Sequence, residues 1–378
     1  MQQQRVYFDH NATTPLMSEV MEEMQEVWRL GPVNPSSSHS NGQWARSQLT
    51  KARRSVAQWM GVSPEEIIFT SGGTEGLHLM IHGTVRAMNI KRVFCTEMDH
   101  PALIAAVRTL KHWGIDVVIL PVGPQGDVRV EALSSCASSC PWQKGDLVVL
   151  SAVNHETGVR NDLDALSAWL HSREVYLLVD GVSWMGKERV HLPPHIGGIC
   201  FSGHKFGGPQ GTGFVVQRLP CAPWQRGGHQ EQGLRAGTEN LPGIVGLAKA
   251  VEMAQTDMSL SVHCRTIRDS FEMEMLQIPG VEVNGEGPRV GNVSNLYIPY
   301  MKGDALLIQL DLHSISASAG SACVSGSVGP SPVLMAMGYS EERASSSIRF
   351  SFGRQNEMHE VDYAVSTMHQ LLSCFISR

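Results

Sequence analysis

Through most of the first 250 residues, short apolar runs alternate with stretches in which apolar residues recur every three to four positions. The short runs predict strands over 67–70, 92–96, 116–120, 147–152, 175–180, 198–202 and 213–217. One of them, Val175-Tyr-Leu-Leu-Val-Asp180, is apolar at successive positions rather than at every second one, which is how a strand reads when helices cover both faces of its sheet. Strands and helical patterns alternating at this spacing predict an α/β domain on a mainly parallel, seven-stranded sheet, spanning residues 16–250. A helical stretch over 241–277 leads into a second region with candidate strands at 281–283, 292–298, 314–319 and 347–351. That region, 251–378, predicts a smaller α+β domain.

The chain has 378 residues, enough for a sizeable core and more than one domain. A hydrophobic content of 42% with 17% charged residues is that of a soluble globular protein. The formal net charge is −6, from 36 acidic and 30 basic residues. No basic tract is interleaved with aromatic residues, so no nucleic-acid partner is expected. The opening Met1-Gln-Gln-Gln-Arg-Val-Tyr-Phe8 has no apolar signal-like centre, and no apolar stretch reaches the roughly 18 residues of a membrane helix. A cytoplasmic protein without a membrane partner is expected. The eight cysteines, at 95, 136, 140, 200, 221, 264, 323 and 374, are too scattered for a disulfide framework. Cys136 and Cys140 are close together, but no matching Cys or His pair follows, and no metal site is expected.

Three segments carry candidate chemistry. In Phe201-Ser-Gly-His-Lys205-Phe-Gly-Gly-Pro-Gln-Gly-Thr-Gly213, Ser202 and His204 flank a lysine, and the glycines allow a tight turn and close approach to a planar ligand. Such a lysine can serve as a Schiff-base residue, although a Gly-rich loop with a lysine is also a common surface turn. Asp180 closes the apolar run 175–180 at the sheet edge where open α/β folds bind ligands, and a carboxylate there suits a pyridinium nitrogen as well as it suits a strand-end turn. Glu66-Ile-Ile-Phe-Thr-Ser-Gly-Gly-Thr74 runs from strand through turn into helix, so backbone N–H groups and the helix dipole converge to bind a phosphate. Its spacing is that of neither a nucleotide P-loop nor a dinucleotide fingerprint, which argues against ATP and NAD. A phosphate cup, a carboxylate and a Schiff-base lysine together describe pyridoxal 5'-phosphate.

The order of these segments resembles that of the NifS/IscS-like cysteine desulfurases, fold-type I pyridoxal phosphate enzymes of the class V aminotransferase group. The likeness extends to Tyr7-Phe-Asp-His-Asn-Ala-Thr-Thr-Pro15, Asn34-Pro-Ser-Ser-Ser-His39, Glu97-Met-Asp-His100, Arg235-Ala-Gly-Thr-Glu-Asn240, Ser318-Ala-Gly-Ser-Ala-Cys323-Val-Ser325 and Ser347-Ile-Arg-Phe-Ser-Phe-Gly-Arg354. It runs from about Val6 to about Tyr363. The resemblance implies that residues 1–15 join the small domain as an N-terminal arm. It implies that Lys205 binds the cofactor and moves protons at the substrate Cα, that Asp180 keeps the pyridine nitrogen protonated, and that His100 stacks on the ring and acts as acid or base. Gly73, Thr74, Ser202 and His204 would hold the phosphate, with Thr238 reaching in from the second subunit of a homodimer. Arg349, assisted by Asn34, would clamp the substrate α-carboxylate, leaving Arg354 to a structural ion pair. Cys323 lies in a Ser/Gly/Ala-rich stretch, 318–331, that reads as a mobile loop. The implied reaction takes sulfur from L-cysteine, leaving L-alanine and a persulfide on Cys323. The loop length resembles that of members passing sulfur directly to a scaffold or carrier protein, as in iron–sulfur cluster assembly.

The chain departs from the family pattern at three places. Asn154-His155-Glu156 replaces Asn-Asn-Glu, Ser183 replaces a glutamine, and Glu231-Gln232-Gly233 replaces Glu-Arg-Gly. The first two implied positions flank the phenolic oxygen of the cofactor, where His155 would compensate for a serine too short to reach it. Asp180-Gly-Val-Ser183 also resembles the aspartate segment of alanine:glyoxylate-type aminotransferases. The alternatives are therefore such a transaminase, a selenocysteine lyase using the same residues, or a non-catalytic sulfur-relay scaffold.

Overall fold

The structure is a computed structural model that describes residues 5–136, 140–320 and 329–376. A short strand, β1 (Val6–Tyr7), precedes the seven that build the main sheet. These are β2 (Ile67–Thr70), β3 (Arg92–Cys95), β4 (Asp116–Ile119), β5 (Leu147–Ser151), β6 (Tyr176–Asp180), β7 (Gly198–Ser202) and β8 (Gly213–Gln217). Their spatial order is β2-β8-β7-β6-β5-β3-β4, with β8 antiparallel to both neighbours and the other pairings parallel.

The helices of this part are α1 (Ser18–Arg29), α2 (Ser40–Met60), α3 (Gly73–Met88), α4 (Pro101–Thr109), α5 (Val130–Cys136), α6 (Leu163–His171) and α7 (Leu241–Thr256). The apolar runs of the strands explain the layering. On β5, Val148 and Leu150 join one core with Leu49 and Val56 of α2 and Leu247 of α7. Leu147 and Val149 point the other way, into a core with Met80 of α3 and Leu103 and Val107 of α4. A strand covered on both faces needs apolar residues at every position, and all five residues of β5 are buried.

The helical stretch expected over 241–277 is two helices, α7 and α8 (Met258–Met275). Asp257 separates them with a non-helical backbone (φ −82°, ψ 82°), and its carboxylate accepts from the N–H groups of Ser259 at 3.1 Å and Leu260 at 3.2 Å, capping α8. Beyond it come β9 (Glu282–Val283), β10 (Val293–Tyr297), α9 (Gly303–Leu312), β11 (Ile315–Ser316), α10 (Pro332–Ala336), α11 (Glu341–Ser345), β12 (Ser347–Ser351) and α12 (Met358–Ile376). The strand expected over 314–319 is thus confined to two residues. Strands β12, β10 and β9 form an antiparallel sheet, and β1 pairs with β11 in parallel register. Val6 and Phe8 pack there with Phe271, Leu296, Phe350 and Phe352, so the start of the chain is buried in the core built by its end. No helix among the described residues is long and apolar enough to cross a membrane.

Candidate active site

The carboxyl ends of the parallel strands open onto a cleft of about 170 Å³. Asp180 ends β6, opposite Ser151 of β5 and Cys200 of β7. Ser202 ends β7, and the chain turns at once through Gly203–Lys205. On the other side, β2 runs through Ser71 and Gly72 into the first turn of α3. Gly72 adopts φ +150°, and Gly213 on β8 comes so near that an added Cβ would stand 2.8 Å from the Gly72 Cα. The helix N-terminus therefore faces Ser202, in the arrangement that binds anions. Gly73, Thr74, His100, His155, Asp180, Ser183, Ser202, His204, Lys205 and Arg349 all line this one cleft.

The N-terminal arm forms a wall of the cleft, a contribution the sequence pattern did not reveal. The Lys205 ammonium donates to the backbone carbonyls of Asn11 at 2.6 Å and Ala12 at 3.0 Å. Thr14 donates its N–H to the His204 carbonyl at 2.8 Å, and the His204 Nδ1 lies 3.1 Å from the Thr13 hydroxyl. The Asn11 amide donates to the His155 carbonyl at 3.2 Å. His100 caps α4, its Nδ1 accepting the Ala102 N–H at 3.1 Å, which makes Nε2 the protonated nitrogen of the neutral ring. Asp99 fixes the preceding turn by accepting from the Thr96 hydroxyl at 2.7 Å and the Ser151 N–H at 2.8 Å.

Burial and three cations set the protonation states. Desolvation pushes His100 down to about 4, helped by Lys205 and Arg349, and pushes His204 down to about 4, helped by Lys205 and Lys187. His155 is driven well below its usual range by burial, with His100, Arg349 and Lys205 adding to the effect. Its 3.7 Å approach to Glu156 is therefore the contact of a neutral imidazole and not an ion pair.

Burial lifts Asp180 to about 6, against the opposing pull of the Val182 N–H at 2.9 Å. Because this value lies above that of the unfolded chain, the group's contribution to stability is complete below about pH 4 and is lost as pH rises through about 6. In ligand-free protein, Asp180→Asn is expected to raise stability by up to about 3 kcal/mol at pH 8 and to change it little at pH 4. Denaturant melts of both proteins at the two pH values check this. An equal effect at both would show that the carboxylate is not held in its neutral form.

Arg349, on β12, is 2% exposed. Its Nη2 pairs with Asp9 at 2.8 Å, its Nη1 donates to the His155 carbonyl at 3.0 Å, and its buried Nε has no hydrogen-bond partner among the described residues. Cys323 lies outside the described residues. The described flanks of its segment are tied to the cleft: Ser318 exchanges backbone hydrogen bonds with Arg349 at 2.7 and 3.1 Å, and the Ser331 hydroxyl donates to Glu156 at 2.5 Å. Two expected residues are not on the cleft. Asn34 is exposed and closes a local turn, accepting the Ser36 N–H at 2.9 Å, and Thr238 is exposed on its own chain. Arg354 pairs with Asp257 at 2.7 Å, as the reading of a structural ion pair anticipates.

Residues 6–364 match the model of the class-V aminotransferase family. A cysteine desulfurase of Trichormus azollae is 35% identical over 374 residues, covering 97% of this chain and 92% of that one. The solved structure of a NifS-like protein superposes with a TM-score of 0.88 at 31% identity, covering 98% of this chain and all of the other, 100%. That of SspA in complex with cysteine gives a TM-score of 0.80 at 25% identity, covering 92% and 99%. The chain belongs to the class-V aminotransferase family and, within it, to the cysteine desulfurases.

Proposed function

We propose that the cleft between Lys205, Asp180 and Arg349 holds pyridoxal 5'-phosphate and L-cysteine and delivers the substrate sulfur to Cys323. The observation that carries this reading is that one cleft gathers an amine, a buried carboxylate, a helix N-terminus and a guanidinium, with the base of the Cys323 segment paired to that guanidinium's own backbone.

The residues fit the cofactor. Asp180 is nearly dehydrated and accepts one backbone N–H, with the Cys200 thiol at 4.0 Å, so a protonated pyridine nitrogen supplies the donor it lacks. Both ring nitrogens of His155 are buried without a hydrogen-bond partner among the described residues, and a polar ring substituent of the cofactor would satisfy one of them. The α3 N-terminus, Ser202 and His204 suit a phosphate. When bound, pyridoxal phosphate supplies an electron sink for the bonds at the substrate Cα.

The chain's own groups do the rest. Lys205 moves a proton at Cα. Arg349 binds the substrate carboxylate and so sets which Cα bond is aligned for cleavage. His100, neutral at physiological pH, is placed to give or take a proton within the cleft. The Cys323 thiolate attacks the substrate Sγ: the S–S bond forms as the Cβ–Sγ bond breaks, the electron pair stays with the carbon skeleton, and protonation completes L-alanine. Ser318 and Cys323 are separated by five peptide steps, a reach of at most about 17 Å. We infer that this reach lets Cys323 serve both the substrate in the cleft and an acceptor protein. We place the chain in the cytoplasm as a homodimer in which Thr238 of one subunit serves the other's phosphate.

Arg349→Lys tests the substrate side. A lysine cannot offer two parallel N–H groups to a carboxylate, so KM for L-cysteine is expected to rise by roughly 10- to 100-fold, with a smaller fall in kcat. Steady-state kinetics check this, and an unchanged KM would place the substrate carboxylate elsewhere.

A further inference from the structure

Lys187 is a buried cation that the chemistry above does not use. It is 6% exposed, and its ammonium donates to the backbone carbonyl of Lys205 at 2.8 Å. Behind it lies a small cavity lined also by His10, Phe206, Cys264, Phe352 and Arg354. Neither group that acts on its charge, Cys264 or Lys205, is a carboxylate. Burial of an ammonium without a carboxylate is costly, and such a group persists where its position is needed.

The position is informative. Lys187 ends the loop that starts at Asp180, a loop closed by the Trp184 N–H to Gly181 carbonyl bond at 3.0 Å and the Lys187 N–H to Trp184 carbonyl bond at 3.1 Å. At Gly186 (φ +75°) that loop passes so close to the Lys205 turn that an added Cβ would stand 2.6 Å from the Phe206 Cβ. The Lys187 bond to Lys205 is thus a second stitch between the segment carrying the carboxylate and the segment carrying the amine.

We propose that Lys187 is a positioning residue that ties the loop following Asp180 to the carbonyl of Lys205 and, as a fixed positive charge beside that lysine, controls protonation of the Lys205 nitrogen. The inference rests on the reading that Lys205 binds pyridoxal phosphate. The groups that face Lys187 are His10, His204, Cys264 and Lys205, with Arg354 and Asp257 beyond Cys264. Among the described residues, His100, His155, His204, Asp180 and Lys187 feel the charge of Lys205. Burial pushes Lys187 down to about 8, with Lys205 adding to the shift, so it is cationic through neutral pH. A neighbouring cation disfavours protonation of the Lys205 nitrogen.

The test follows the visible absorption of protein loaded with pyridoxal phosphate as a function of pH, since that absorption reports the protonation of the nitrogen bound to the cofactor. In Lys187→Met the midpoint is expected to move up by about half a pH unit or more, while Lys187→Arg stays nearer the wild type. At neutral pH, kcat falls in Lys187→Met with KM for L-cysteine little changed. Should Lys187→Met not fold, Lys187→Gln, which keeps a donor for the carbonyl but no charge, carries the same expectation. An unmoved midpoint with cofactor retained overturns the proposal, as does failure of both neutral variants to fold while Lys187→Arg folds. A wild type that shows no visible absorption after loading sinks the cofactor reading itself. A wild type that titrates, beside variants that do not shift, sinks only the role of Lys187.

Discussion

Lys205→Ala is expected to lose the visible absorption of bound pyridoxal phosphate and to form alanine from L-cysteine roughly a thousandfold more slowly, or not detectably. The size of the effect follows from the absence of a substitute. The buried amine near the cleft, Lys187, points at the Lys205 carbonyl and does not line the cleft. The substitution also removes a cation that helps hold His100 and His204 down to about 4, so both imidazoles should titrate at higher pH in the variant. Proton NMR titration of the histidines separates this electrostatic effect from simple unfolding. A variant that keeps both the absorption and turnover would remove Lys205 from the chemistry.

Cys323→Ala separates cofactor chemistry from sulfur transfer. The variant should bind pyridoxal phosphate as the wild type does, because the described residues lining the cleft contain no cysteine. Turnover of L-cysteine to alanine and sulfide should fall by roughly 100-fold or more, since none of the described thiols lines the cleft. Cys200 is buried behind Asp180, and both it and Cys95 are pushed far from the thiolate form by desolvation. Mass spectrometry of wild-type protein after brief exposure to L-cysteine should show a peptide carrying Cys323 heavier by one sulfur atom. Sulfur found on another cysteine would transfer the role to that residue.

The sheet was legible because parallel strands covered on both faces must be apolar at successive positions, and short runs such as those at β2, β7 and β8 end where polar or glycine residues begin. Three of the seven predicted ranges coincide with the observed strands, and the others differ by one residue at an end. The break between α7 and α8 was readable only from Asp257, a capping residue inside an otherwise unbroken helical pattern. Lys205, Asp180 and the Ser-Gly-Gly-Thr turn carry chemistry in their own neighbours and so were visible one segment at a time.

What sequence concealed is long-range. The Asp9 to Arg349 pair joins residues 340 positions apart, and no local pattern announces that a carboxylate in the N-terminal arm will hold a guanidinium in β12. The carbonyls of Asn11 and Ala12 act through the backbone, which the identity of a side chain does not report. Lys187 was missed for a related reason: a lysine after Met-Gly reads as solvent-exposed, and only the closure of the 181–187 loop over the Lys205 turn buries it. Asn34 and Thr238 were drawn from family pattern alone, and a single chain leaves both at its surface.

His155 and Ser183, at which the chain departs from the family pattern, both line the cleft. His155 is neutral at working pH, so it can donate from one nitrogen and accept at the other, as the amide in its relatives' pattern can. The chain therefore keeps at that wall a side chain able to make a polar contact.

The measurement that tests the central claim most directly is to incubate protein loaded with pyridoxal phosphate with L-cysteine and dithiothreitol and to quantify alanine and sulfide in the same samples. Equal amounts of the two, rising together over many turnovers, are the predicted result. Pyruvate or glycine formed from an amino donor and a keto acid, with neither alanine nor sulfide arising from L-cysteine, would contradict the desulfurase account.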